Sequence, residues 1–147
     1  MTAHQSRSQL IALGHRFADI LNAGDADALR AILAPGYRNH NAYVDDGPDA
    51  CVGFFAHFLS AVPDLRVTAH AVLCDDAAQT VIGRYAYEGT HTGPFMGFPP
   101  TGNEIAMRSI DLWRVEGGVF VEHWDELNTL DLFTQIGAAR MVEPGAA

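Results

Sequence analysis

Near Pro63 the spacing of apolar residues changes period, and that change limits the fold more than any other feature of the sequence. Before it, residues 5–22 carry Leu10, Ile11, Leu13, Phe17, Ile20 and Leu21 as one stripe at helical spacing. Asn22 and Gly24 end that segment. Asp25 is placed to cap a second short helix over 25–34, which Pro35 and Gly36 stop. Residues 37–44, YRNHNAYV, show no usable period. A third helix is expected over 48–61, with Pro48 in its first turn. After Pro63 apolar and polar residues alternate. Strands are expected over 65–76, 80–93, 104–118 and 119–128, with Asp75-Asp76 and Gly117-Gly118 as turns. A short amphipathic helix over 130–137 closes the chain.

Helices first and hairpin strands afterwards predict an α+β fold. The N-terminal helices pack on a strongly curved, mainly antiparallel sheet, giving a cone-shaped barrel with a short C-terminal helix. The 147 residues show no repeat and no linker, so one domain is expected over 1–147. A cone of this kind has an open mouth and an interior lined by alternate residues of each strand.

The stretch FVEHWDELN, residues 120–128, concentrates ionisable groups at a strand end. A period of two puts Val119, Val121, His123, Asp125 and Leu127 on one face, and Phe120, Glu122, Trp124, Glu126 and Asn128 on the other. Asp125 then continues an apolar face, and desolvation raises a carboxyl pKa. Such an acid can exchange protons near neutral pH. The plainer alternative is a solvated strand end whose acids pair with Arg or Lys. One strand earlier, Asp111 shares a face with Ile105, Met107, Ser109 and Trp113. It is either a second inward acid, with repulsion raising one pKa of the two, or the partner of Arg108 or Arg114.

Further candidates are polar groups in apolar surroundings. Asn39, His40 and Asn41 form an NHN segment that is either a binding edge or turn chemistry. Arg84 lies mid-strand on the face of Ile82 and Ala86, where it balances pocket acids or anchors an anionic substrate. His91 follows the same strand, near the expected mouth. Trp124 and Phe95 either wall the pocket or fill the core.

The formal net charge of −9 leaves no basic face for a phosphate backbone, so nucleic-acid partners are not expected. No apolar run approaches the roughly 20 residues of a membrane span. The N-terminus has no signal-like apolar region, and Cys51 and Cys74 form no C-x-x-C motif. A cytoplasmic protein with reduced thiols is expected. There is no G-x-S-x-G elbow, no phosphate-binding glycine loop and no H-E-x-x-H pattern, so neither a serine nucleophile nor a metal or nucleotide cofactor is expected.

GTHTGPFMGFPPTG, a following strand, the GG hairpin and VEHWD together resemble the C-terminal core of the SnoaL-like polyketide cyclase family. YRNHNAYVDDGPDA and AVPDLRVTAHAVL are similar to its earlier segments, so the likeness runs from about residue 8 to residue 137. The resemblance implies the nuclear transport factor 2-like cone. It implies a metal-free and cofactor-free intramolecular aldol closure of an aromatic polyketide ester, with Asp125 as general acid/base. Donors for the developing oxyanion are sought among His40, Asn39, Arg84 and His123. A homodimer and a small hydrophobic substrate are also implied. The same cone hosts other functions. An epoxide hydrolase would need an Asp111–Arg84–Asp125 relay around a water. An isomerase would reuse the acid/base pair, and a non-catalytic binding domain would tie its carboxylates up in salt bridges.

Overall fold

The computed structural model describes residues 4–145; residues 1–3 and 146–147, the outermost positions of the single domain expected, lie outside that range. Ser6 and Gln9 form a reciprocal capping box that starts helix α1, Arg7–Asn22. Its stripe of Leu10, Leu13, Phe17, Ile20 and Leu21 is buried. Gly14 sits where this stripe meets the sheet. A Cβ there would stand 2.6 Å from Val72 Cγ1, and Tyr85 donates to the Gly14 carbonyl at 2.7 Å. A mid-helix glycine costs about 1 kcal/mol relative to alanine; here it permits a close helix–sheet approach.

The second helix expected over 25–34 is shorter. Asp25 caps a 3-10 turn, Ala26–Ala31, and strand β1, Leu33–Asn39, follows at once. Pro35 and Gly36 do not terminate a helix; they lie inside β1. The reason is position: β1 is the edge of the sheet, where a missing N–H is tolerated. Its register with the next strand shifts between Leu33 and Arg38. Helix α2, Pro48–Ala61, has Pro48 in its first turn and buries Cys51, Val52, Phe58 and Ala61.

Four long strands complete the sheet: β2 Arg66–Asp75, β3 Thr80–Thr90, β4 Glu104–Glu116 and β5 Val119–Leu127, before helix α3, Thr129–Gln135. The spatial order is β1-β5-β4-β3-β2. All pairings are antiparallel except β1 with β5, which is parallel. Gly117 and Gly118, at φ 59° and 83°, make the two-residue turn between β4 and β5. The inner face of the curved sheet and the three α-helices enclose one core that includes Phe17, Phe58, Tyr85, Phe95, Trp113 and Phe120. Among the described residues no helix is long and apolar enough to cross a membrane.

Candidate functional site

Strand β4 follows its sequence pattern without interruption: Ile105, Met107, Ser109, Asp111, Trp113 and Val115 are all buried, and the residues between them face out. Strand β5 does not. Val115 pairs with Phe120 and Arg114 with Glu122, so Val121 is an extra residue, a β-bulge. The bulge changes the parity of the strand. Phe120 is fully buried, whereas Val119 and Val121, expected on the inner face, are only half-buried. Beyond the bulge, His123 and Asp125 turn inward as their spacing suggested. Asp111 and Asp125 are direct cross-strand partners.

The polar groups form two short chains. Asp111, 3% exposed, accepts from His123 Nε2 at 2.8 Å through Oδ1 and from the Ser109 hydroxyl through Oδ2. Neither Arg108 nor Arg114 reaches it: Arg108 pairs with Asp131 and Arg114 with Glu116 and Glu122. His123 Nδ1 lies 3.0 Å from Asn39 Oδ1, and the orientation of that amide is set by the Asn41 N–H donating to the same oxygen at 3.3 Å. Both imidazole nitrogens therefore face oxygen atoms of neighbouring side chains. The ring is clamped by Trp113, stacked at 5.0 Å and 15°.

Asp125 belongs to the second chain. Asn41 Nδ2 donates to its Oδ2 at 2.7 Å, and its Oδ1 has no hydrogen-bond partner among the described residues. Burial raises its pKa above the usual aspartate value. The Asn41 bond and the His123 charge pull it down in part, and Asp111 and Glu126 push it up again. Asn41 favours the charged form, so Asn41→Ala should move the acid limb of any Asp125-dependent activity to higher pH. A pH profile measured on the variant checks this, and an unmoved limb would count against Asp125 as the titrating group.

Both chains border a cavity of about 70 Å³. Its wall is apolar and aromatic: Phe17, Phe54, Phe55, Phe95, Trp113, Phe120 and Phe133 line it, with Tyr37, Asn39, Asn41, Tyr87, Asp111, His123 and Asp125 as the polar part. No Lys or Arg among the described residues reaches it. Burial beside Asp125 pushes the Cys51 thiol, also in the wall, up to about 12, so it stays a neutral packing group. Tyr43 and Met96 line the cavity while remaining 48% and 40% exposed, which places the mouth between the 41–47 loop, the turn at Phe95–Phe98 and α3.

Asp111, His123 and Asp125 are also the residues that could hold a metal ion, with ligand atoms within 4.8 Å of one another. Both His123 nitrogens and both Asp111 oxygens already serve protein hydrogen bonds. A metal would have to break the His123–Asp111 contact.

The remaining candidates lie elsewhere. His40 is on the outer side, bonded to Glu122 at 2.9 Å and stacked on Trp124 at 4.8 Å. That bond, with Arg114 and Arg38, holds the Glu122 carboxyl below the usual glutamate range. Trp124 is 39% exposed and is not part of the cavity wall. Arg84 is exposed; its inner neighbour Gly83, not Arg84, pairs with Asp111, so no Asp–Arg–Asp relay is assembled. His91 is fully buried away from the cavity wall, and its Nδ1 meets Thr101 Oγ1 at 3.0 Å, pinning the 91–103 loop. Conversely, the sequence reading did not single out Tyr37. Tyr37, Asn39 and Asn41 alternate inward while Arg38 and His40 face Glu122 outside. That period becomes visible only once residues 33–39 are known to be a strand.

A family model described as SnoaL-like polyketide cyclase matches residues 12–136. No curated protein sequence matches the chain. Among solved structures, TsrD from Streptomyces laurentii is 30% identical, with a TM-score of 0.82 over 92% of this chain and 99% of that one. IdmH from Streptomyces antibioticus, a candidate polyketide cyclase, is 27% identical, with a TM-score of 0.69 over 90% of this chain and 99% of its own. A SnoaL-like polyketide cyclase from Agrobacterium tumefaciens is 20% identical, with a TM-score of 0.69 over 87% and 98%, a likeness of fold.

Proposed function

The chain belongs to the SnoaL-like polyketide cyclase family, and from that premise we propose that it closes a ring in a neutral polyketide-type carbonyl compound, with Asp125 as the acid/base. What carries this reading is one arrangement. Asp125 has one oxygen held by Asn41 and the other without a hydrogen-bond partner among the described residues, at the wall of an apolar cavity that no Lys or Arg among them reaches. Asp125 takes a proton from the carbon beside a carbonyl. The enolate carbon attacks a second carbonyl of the same molecule, and the alkoxide so formed takes the proton back from Asp125. The product is an isomer of the substrate, and no external oxidant or reductant is consumed. His123 and Ser109 occupy both Asp111 oxygens, so Asp125 is the carboxylate left open to the substrate.

The wall selects against anions, because a carboxylate or phosphate would meet two acids and neither Lys nor Arg among the described residues. It also sets a size condition. Pockets for drug-sized ligands run to about 300 Å³ and more, well above the 70 Å³ here. A polycyclic substrate therefore requires Tyr43, Met96 and Phe133 at the mouth to part, and a single-ring or open-chain ester requires less. The test is deuterium exchange from D2O into the acidic C–H of a panel of neutral β-keto esters, followed by mass-neutral cyclisation. Absence of exchange with every ester would sink the reading. The alternatives draw less support: an epoxide hydrolase lacks its arginine at the acids, and a passive binding domain leaves the unpaired Asp125 oxygen without a purpose.

A homodimer through the outer sheet face is part of the proposal. Cross-strand pairing lines up Leu73, Ile82, Leu112 and Trp124 as one apolar row, and Arg84, Ile110 and Glu126 as the next. Leu73 and Ile110 are 58% and 56% exposed. Arg84 and Glu126 form no ion pair among the described residues. A two-fold axis through Ile110 would set Arg84 of one protomer against Glu126 of the other. Sedimentation velocity should give a dimer for the natural sequence and a monomer for Ile110→Asp; a monomeric natural sequence at tens of micromolar would refute it.

A further inference from the structure

Proton abstraction beside a carbonyl makes its oxygen negative, and in a cavity without Lys or Arg among the described residues that oxygen needs a hydrogen-bond donor. His123 has both nitrogens committed, and the Asn39 amide spans His123 and the Val44 carbonyl, at 3.0 and 3.4 Å. The Tyr87 hydroxyl lies 3.4 Å from Ser109, within the Asp111 chain. Tyr37 differs from all of these. It is 3% exposed and lines the cavity from the same side as Asn39 and Asn41. Its phenol O–H has no hydrogen-bond acceptor among the described residues. Its ring lies along His123, at 6.5 Å and 19°.

We propose that the Tyr37 hydroxyl is the donor that holds the substrate's carbonyl oxygen while Asp125 removes the neighbouring proton. The assignment rests on the acid/base reading of Asp125 for its chemistry, but its geometry is independent of it. Burial, with Cys51, Asp111 and Asp125 nearby, keeps the phenol protonated far above its ordinary range, so it can donate at every working pH. With no acceptor among the described residues, the phenol keeps its proton free to donate. Tyr37 and Asp125 would then act on adjacent atoms of one substrate, the oxygen and the α-carbon.

Phenols of graded acidity, from para-cresol to para-nitrophenol, imitate the enolate oxygen and serve as probes. They are bound to Asp125→Asn protein, where no carboxylate at position 125 repels them, and ionisation is followed by ultraviolet difference absorbance. Affinity should rise about tenfold or more across the series. Adding Tyr37→Phe should abolish that rise while leaving para-cresol within about threefold, a pattern that a purely structural role would not produce. An equal rise in both proteins, or no binding to either, overturns the assignment. In the exchange assay, Tyr37→Phe alone should lose about 100-fold in rate and keep the acid limb set by Asp125. Unchanged exchange by Tyr37→Phe overturns Tyr37 only. Absent exchange in the unmodified protein overturns the Asp125 reading and leaves the phenol result to decide Tyr37.

Discussion

Asp125→Asn should abolish ring closure and carbon-bound deuterium exchange, by about 10²- to 10⁴-fold, while the protein folds as before. The asparagine amide matches the carboxylate in shape and keeps a contact with Asn41, so the cavity is not rebuilt. The pH dependence follows from the environment. Burial raises the Asp125 pKa, so the basic form populates only as pH climbs through a value above the ordinary aspartate range. Activity of the unmodified enzyme should rise across that interval and the variant should have no such limb. The same shift has a stability counterpart. A carboxyl whose folded pKa exceeds its unfolded pKa binds its proton more tightly in the native state, so stability falls as pH rises from the unfolded value through the folded one. At neutral pH Asp125→Asn should therefore be at least as stable as the parent. Undiminished turnover, or a variant markedly less stable, would contradict the assignment.

Asp111→Ala should destabilise the fold by about 2–6 kcal/mol, because it leaves both His123 and Ser109 buried without their acceptor, at ~1–3 kcal/mol each. That is a large share of the 5–15 kcal/mol by which a domain of this size is stable. Replacing both members, Asp111→Leu with His123→Leu, removes the unpaired group and should cost much less than the sum of the two single changes. Urea titration of the three variants measures it. Additive losses would mean that the pair is not a coupled unit in the native protein.

The sequence made some elements legible and hid others for identifiable reasons. Strand β4 could be read to the residue because the extra residue of its pairing with β5 lies on β5, so alternation alone put Ser109, Asp111 and Trp113 on one face. On β5 a single extra residue at Val121 broke the alternation, and only the part beyond it, His123 and Asp125, kept the predicted facing. Strand β1 was hidden because Pro35 and Gly36 read as a stop, which holds for a helix or a central strand but not for a free edge. With β1 unrecognised, the NHN segment could not be divided, and His40 rather than Asn41 looked like the binding group. Arg84 suggested a role by its chemistry, but its strand position faces it outward; the register that pairs Gly83 with Asp111 depends on where two distant turns fall.

The bulge at Val121 has a consequence for how a lineage can alter this protein. Substitutions can retune the pocket one side chain at a time, since each wall residue comes from its own strand position. Gains and losses of length cannot. Removing Val121, or inserting one residue between Gly36 and Tyr37, would rotate every later side chain of that strand by half a turn. His123 and Asp125, or Tyr37 and Asn39, would then be carried to solvent, and Trp124 or Arg38 into the interior. Descendants of this sequence should therefore vary in residue type at the other positions of these two strands and hardly at all in the number of residues, because here the count itself is inherited chemistry.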